Sequence, residues 1–315
     1  MAVELAQAGR CVYLRCTMTN TKKVVLVTGA SAGFGRLFTE TLARHQYTVF
    51  SAMRNLSGKN AAAARELQQL ADREALDIQS VELDVTQDAS CEQCVKEVIR
   101  RAGRLDVLLN NAGIAYLGLA ESFTLAQAHR IFETNFFGVL RMVRAVLPRM
   151  HQQHSGLLMQ VSSGAGRAVL PGMGLYCASK FALEALTEAL RYELASSGID
   201  SVSLEPGAYR TAILGKIEAG EDGARNAPYG RAQEVPGMIG AMLNQAAADP
   251  QEVADAVLQI IETPLGRREL RYRVGKGASG VEAINAVTKE QQEQMLTLFG
   301  VADFTKFPAE DAAKA

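Results

Sequence analysis

Val24-Val25-Leu26-Val27-Thr28-Gly29-Ala30-Ser31-Ala32-Gly33-Phe34-Gly35 is the stretch that decides the fold. It begins with a short apolar, β-branched run of the kind that forms a strand covered on both faces. The run leads straight into a turn holding Gly29, Gly33 and Gly35, and a helical pattern follows from Arg36. Glycines at a strand-to-helix turn let the backbone fold tightly. They bring amide N–H groups and the positive end of the helix close to a phosphate. The spacing is G-x-x-x-G-x-G and not G-x-G-x-x-G. In its strand–turn–helix setting the stretch predicts a nucleotide-binding loop.

Working outward, strand-like runs recur at 24–27, 48–52, 78–82, 107–109, 157–161, 201–204 and 270–272. Helical patterns lie between them, near 34–44, 60–74, 88–102, 124–152, 175–197 and 250–262. Such alternation predicts right-handed βαβ crossovers. The fold class is therefore α/β, a single doubly wound domain over 21–275. Its seven-stranded sheet is mostly parallel and flanked by helices on both faces. No repeat or linker divides it. A long irregular, Gly- and Ala-rich stretch at 208–242 is expected to form a substrate loop. Residues 276–315 are expected to form a C-terminal extension packing on the domain, with a helix near 287–299.

Residues 1–20 contain Arg10, Arg15, Cys11 and Cys16 but no continuous apolar segment with a cleavage site, so they do not read as a secretory signal. They are expected to be a poorly ordered extension, and Met18 is a candidate start. The composition is that of an ordinary globular domain, 48% hydrophobic and 21% charged with a net charge of −1. Nothing in that balance calls for nucleic acid or an anionic membrane as partner. No apolar run approaches the roughly 20 residues of a membrane span. A cytoplasmic location is expected. The five cysteines are scattered. Cys91 and Cys94 form a CxxC with no second Cys or His pair nearby, so they read as buried helix thiols. The four histidines show no ligand spacing, and no metal site is expected.

Chemistry concentrates at predicted strand ends. Tyr176 and Lys180 stand at i and i+4, one above the other on a helix face. A free tyrosine ionises near pH 10, and a neighbouring ammonium favours the phenolate, as general acid/base work requires. Ser163 follows the strand at 157–161, at the carboxyl end where parallel sheets bind ligands. Asn111-Ala112-Gly113 follows another strand, Asn135 interrupts an apolar helical run, and Pro206-Gly207 follows the sixth strand. The second strand ends in Arg54-Asn55 where sites for NAD usually carry an acid. A guanidinium there suits a 2′-phosphate, which favours NADP over NAD.

Taken together, these motifs resemble the classical short-chain dehydrogenase/reductase family, with its Rossmann fold. The resemblance covers about 22–275. It rests on Thr28–Gly35, Asp84-Val85, Asn111–Gly113, Asn135, Ser163, Tyr176–Lys180 and the stretch from Pro206 to Thr211. The segment 176–183 and Arg54 look most like the hydroxysteroid/retinol dehydrogenase branch. The resemblance implies that Tyr176 exchanges a proton with the substrate oxygen while NADP(H) exchanges hydride with its carbon. It implies that Ser163 orients that oxygen, that Lys180 lowers the Tyr176 pKa and binds the nicotinamide ribose, and that Asn135 holds a relay water. The cofactor would lie along Gly29, Ser31, Gly33, Phe34 and Gly35 at the pyrophosphate. Arg54, Asp84, Val85, Asn111, Ala112 and Gly113 would serve the adenosine, and Pro206, Gly207 and Thr211 the nicotinamide. Phe34 departs from the smaller aliphatic residue usual there and is expected to pack under the turn. The expected substrate is a small carbonyl or alcohol, lipophilic by the apolar residues of 208–242. The expected assembly is a homo-oligomer, dimer or tetramer, through the helices at 135–152 and 176–197. Two alternatives stay open: an epimerase or lyase of the wider superfamily, and an NADP-binding sensor without turnover.

Overall fold

The computed structural model describes residues 22–275 and 279–308. The expectations for 1–20, Met18 included, lie outside them. Strands β1 (Val24–Thr28), β2 (Thr48–Met53), β3 (Ile78–Glu82), β4 (Val107–Asn110), β5 (Gly156–Val161), β6 (Ile199–Pro206) and β7 (Arg271–Val274) form one sheet. Their order is β3-β2-β1-β4-β5-β6-β7, and every pairing is parallel, which sharpens the expectation of a mostly parallel sheet. The order reverses between β1 and β4, so a crevice opens above their carboxyl ends.

Successive side chains of a strand point to opposite faces, and β1 supplies both cores. Val25 and Val27 join the layer under α1 (Gly33–Arg44), α2 (Ala61–Glu74) and a helix at 251–262. Val24 and Leu26 join the layer under α3 (Asp88–Ala102) and two long helices further on. A strand apolar at every position is what such two-sided burial demands, and β1, β2, β5 and β6 are buried throughout.

The helical run expected at 124–152 is α4 (Leu125–Phe132), a π-helical turn at Glu133–Phe137, and α5 (Gly138–Gln153). The sequence pattern treats it as one helix because a π turn is a single-turn bulge inside an otherwise continuous helix. Thr124 and Gln127 form a capping box at its start. Next come α6 (Gly174–Leu194) and, inside the stretch expected to be irregular, α7 (Val235–Asn244). The sequence conceals α7 because Pro236, Gly237 and Gly240 fall within it and it buries no residue. Helix α8 (Gln251–Glu262) completes the first layer, and α9 (Ser279–Leu298) begins eight residues before the expected 287. Among the described residues no helix is long and apolar enough to cross a membrane.

Candidate active site

The glycine loop is shaped by backbone contacts. Gly29 and Gly33 have φ of +69° and +57°, a region that suits glycine. A Cβ on Gly35 would stand 2.4 Å from the Gly29 carbonyl oxygen and 2.5 Å from Asn111 Nδ2. The loop is tied to two strands. Ala30 N–H donates to Ala52 at 3.0 Å, and Asn111 Nδ2 donates to the carbonyls of Thr28 and Gly29 at 2.9 and 3.2 Å. Thr28 Oγ1 accepts the amides of both Asn111 and Ala112 at 3.0 Å. Asn111 is thus a clamp between β4 and the loop. Phe34 packs at the turn as expected, stacked on Phe38 at 5.9 Å and edge-on to Tyr209 at 5.6 Å.

Ala32 precedes α1 with no side-chain cap, which leaves first-turn amides available to an anion. Close-packed glycines beside uncapped amides fit a pyrophosphate. At the far end of β2, Arg54 is exposed, with Nη1 3.9 Å from Asp84 Oδ2. Asp84 Oδ1 accepts from the Thr86 amide and hydroxyl at 3.0 and 2.8 Å. Glu82 accepts the amides of Asn55 and Leu56. Both carboxylates are therefore engaged, and Arg54 and Lys59 line the cleft beside them.

The other motif residues arrive from different elements at the same carboxyl edge. Tyr176 and Lys180 come from the first turns of α6, and Ser163 from the loop after β5. Ser163 Oγ accepts the Ala165 amide at 3.1 Å and lies beside the Tyr176 phenol. The Lys180 ammonium lies 5.8 Å from the Tyr176 ring centroid and donates to the Val161 carbonyl at 2.8 Å. Burial pushes the Tyr176 phenol up to about 12, against the opposing effect of the Ser163 hydroxyl. Burial also brings Lys180 down to about 8, with Glu184 opposing. Desolvation thus dominates both groups, and the phenol is neutral at ordinary pH.

Asn135 sits in the π turn, almost wholly buried. Its Oδ1 accepts the Ile114 amide at 2.9 Å, and its Nδ2 donates to the Ile114 carbonyl and Ser179 Oγ at 3.0 and 3.1 Å. Ser179 Oγ in turn donates to the Tyr176 carbonyl at 2.8 Å. The amide therefore locks the segment that follows β4 to the turn of α6 that carries Tyr176.

Gly29, Ser31, Gly33, Phe34, Arg54, Asn111, Ser163, Tyr176 and Lys180 line one cleft of about 2450 Å³, together with Asp84, Val85, Ala112, Gly113, Pro206, Gly207 and Thr211, whereas Gly35 and Asn135 lie behind its wall. Small-molecule sites are commonly 300–1,000 Å³, so this one has room for a dinucleotide and a further ligand. Sequence reasoning assigned no role to Thr28 or Ser179. The signal for Thr28 was a hydroxyl ending a wholly apolar strand, where a buried polar group needs partners. Cys91 and Cys94 are buried free thiols pushed up to about 11 and about 12, as inert helix cysteines should be. Among the described residues no cluster of potential ligands could hold a metal.

This architecture is shared. The short chain dehydrogenase family pattern matches residues 23–222. Retinol dehydrogenase 8 of Bos taurus is 33% identical over 267 residues, 80% of this chain and 82% of that protein. Estradiol 17-beta-dehydrogenase 1 of Rattus norvegicus is 33% identical over 258 residues, 79% of this chain and 72% of that protein. The crystal structure of a short-chain dehydrogenase from Streptomyces avermitilis superposes with a TM-score of 0.71 at 32% identity, covering 90% of this chain and 97% of that one. With the fold, the glycine loop and the Ser163–Tyr176–Lys180 group in place, the chain belongs to the short-chain dehydrogenase/reductase family of oxidoreductases, in its hydroxysteroid/retinol dehydrogenase branch.

Proposed function

We propose that the protein is an NADP-dependent oxidoreductase that interconverts a lipophilic alcohol, secondary or primary, and the corresponding ketone or aldehyde, with Tyr176 as acid/base. The observation that carries this reading is the meeting of the Tyr176 phenol, Ser163 and Lys180 in one cleft with the glycine loop. When bound, NADPH supplies the hydride. Gly29, Ser31, Gly33, Phe34 and Gly35 would hold its pyrophosphate side. Asp84, Val85, Asn111, Ala112 and Gly113 would hold the adenosine, and Pro206, Gly207 and Thr211 the nicotinamide. Arg54 would meet the 2′-phosphate. Glu82 beside it is occupied by backbone amides, so no free acceptor competes for a ribose hydroxyl there.

A neutral Tyr176 is in the form that donates a proton to a carbonyl oxygen, which suits the reductive direction. Ser163 holds that same oxygen. The buried Lys180 ammonium faces the ring and stabilises the phenolate left behind. Asn135 fixes the Tyr176 turn through Ser179. Leu170, Met173, Val281 and Ile284 give the substrate end an apolar lining, and the relatives named for retinol and estradiol act on lipophilic alcohols. Phe137 on the π turn and Phe181 on α6 are exposed large apolar groups that fit a homo-oligomer contact.

The test is calorimetric titration with NADPH and with NADH. The expected result is an NADPH preference of tenfold or more, about 1.4 kcal/mol, lost in Arg54→Asp. Equal affinities would overturn the NADP assignment and favour NAD-linked oxidation. Binding of NADPH without turnover of any carbonyl would favour the sensor alternative.

A further inference from the structure

Arg271 and Arg273 stand two residues apart on β7 and therefore point to the same side of the sheet. Their surroundings differ. Arg271 has Glu184 Oε2 at 3.0 Å and Glu188 Oε2 at 2.6 Å, with Glu205 Oε1 at 3.8 Å. Arg273 donates Nη1 to the Gly275 carbonyl at 2.6 Å, while its Nε and Nη2 are buried with no hydrogen-bond partner among the described residues. It forms no ion pair among them either. Glu252, on α8, is engaged at 3.3 Å by the Tyr209 hydroxyl.

The residue as a whole is half-buried, yet these two donors are shut off from water, and polar atoms left in that state without a partner are unfavourable. Arg273 also lines the cleft. The register of the sheet says which end. Val161 pairs with Leu204, Leu204 with Tyr272, and Glu205 with Arg273, so Arg273 is level with Ser162, beside the catalytic serine. Neighbouring strands are about 4.8 Å apart, which puts β7 roughly 10 Å from β5 and roughly 19 Å from β1. A cofactor pyrophosphate on the glycine loop after β1 is out of its reach. A group on the substrate, several bonds from the reacting carbon, is within it.

We propose that Arg273 binds an anionic group of the substrate, so that the substrate is an amphipathic oxo or hydroxy acid rather than a neutral ketone or alcohol. The guanidinium offers two donors in a fork that matches a carboxylate. Val281 and Ile284 on α9, with Leu170 and Met173, give the apolar portion its wall. The substrate class rests on the oxidoreductase reading above, whereas the anion site does not.

The test separates the two. Full-length protein is titrated calorimetrically with octanoate and with octanamide, which share a chain and differ in charge. Octanoate is expected to bind at least tenfold more tightly, and Arg273→Met to bring it to the level of the amide. Arg273→Lys keeps the charge and is expected to retain part of the preference, while circular dichroism confirms that both variants fold. Equal affinities in the unmodified protein, a preference that survives in Arg273→Met, or no binding of either would each overturn the anion site. NADPH-linked reduction of a medium-chain oxo acid against its methyl ester then reads the substrate class. A preference for the acid that disappears in Arg273→Met supports it, and preferential turnover of the ester overturns it. If octanoate binds through Arg273 but neither oxo compound is reduced, the reaction assignment fails and the anion site stands.

Discussion

At the glycine-loop end of the cleft, Thr28, Asn111 and Asn135 bind backbone groups of distant segments, and the strands beneath them are buried throughout. At the α9 end, the covering helix is mostly exposed, and Val281 is its one buried apolar residue. It is held instead by Asn285, which accepts from Arg167 Nε at 2.8 Å and donates to Glu205 Oε2 at 2.7 Å, and by Thr288, which accepts from Arg167 at 2.8 Å. On the proposed function, the difference teaches how one fold can keep a cofactor and vary a substrate. The glycine-loop end is defined by backbone geometry that few side chains can alter. The α9 end hangs on a few polar tethers, and segments with little apolar burial open at low free-energy cost.

The largest expected effect lies on the seam between the two. Tyr176→Phe should lower kcat by about 10²–10⁴-fold, with NADPH affinity changed less than threefold. A small loss of kcat would show that the proton comes from elsewhere. Thr28→Val keeps the shape of the side chain but leaves the amides of Asn111 and Ala112 without an acceptor. At about 1–3 kcal/mol for each of the two orphaned amides, denaturant melts should show a loss of roughly 2–6 kcal/mol. A loss below 1 kcal/mol would mean that the glycine-loop end is no more firmly built than the other.

Glu205 sharpens the contrast through pH. Burial, and then the negative charge of Glu184, push its carboxyl up to about 7. That lies above the ordinary 4.5, so the folded state holds the proton more tightly than the unfolded chain. Stability from this group is complete below pH 4.5 and falls away as pH rises through 7. Glu205→Gln should flatten that slope and be more stable at pH 8, by about 2 kcal/mol, in melts taken from pH 5 to pH 8. An unchanged slope would remove Glu205 as its source. The smallest effect belongs to Asn285→Ala. Global stability should change by less than about 1 kcal/mol, while hydrogen exchange over 279–298 should speed up and that over β1 and β4 should not.

Legibility in the sequence follows the same division. The apolar strands, the glycine triplet and the Tyr176/Lys180 spacing are local patterns, and each lies where the pattern placed it. The π turn at Asn135 was legible only as a polar residue in an apolar run, because its reason is a clamp on Ile114, 21 residues away. Helix α7 and the start of α9 were not legible. Helix α7 buries none of its residues and α9 docks by polar contacts, so neither presents an apolar stripe. Nothing in the sequence marks Arg273, since a lone cation and a paired one look alike until their partners are known.

The bonds from Asn111 to Thr28 join residues 83 apart in the chain. Local segments cannot make them early, because closing so long a loop costs entropy before any contact returns it. The glycine loop therefore acquires its shape only after the whole of β1 to β4 has assembled and β4 has docked on β1. A dinucleotide that recognises this loop recognises a finished half-domain. Its binding energy then falls entirely on the native state and raises the melting temperature with the logarithm of the ratio of cofactor concentration to Kd. In a cell, the supply of cofactor would act on the abundance of this protein as well as on its turnover.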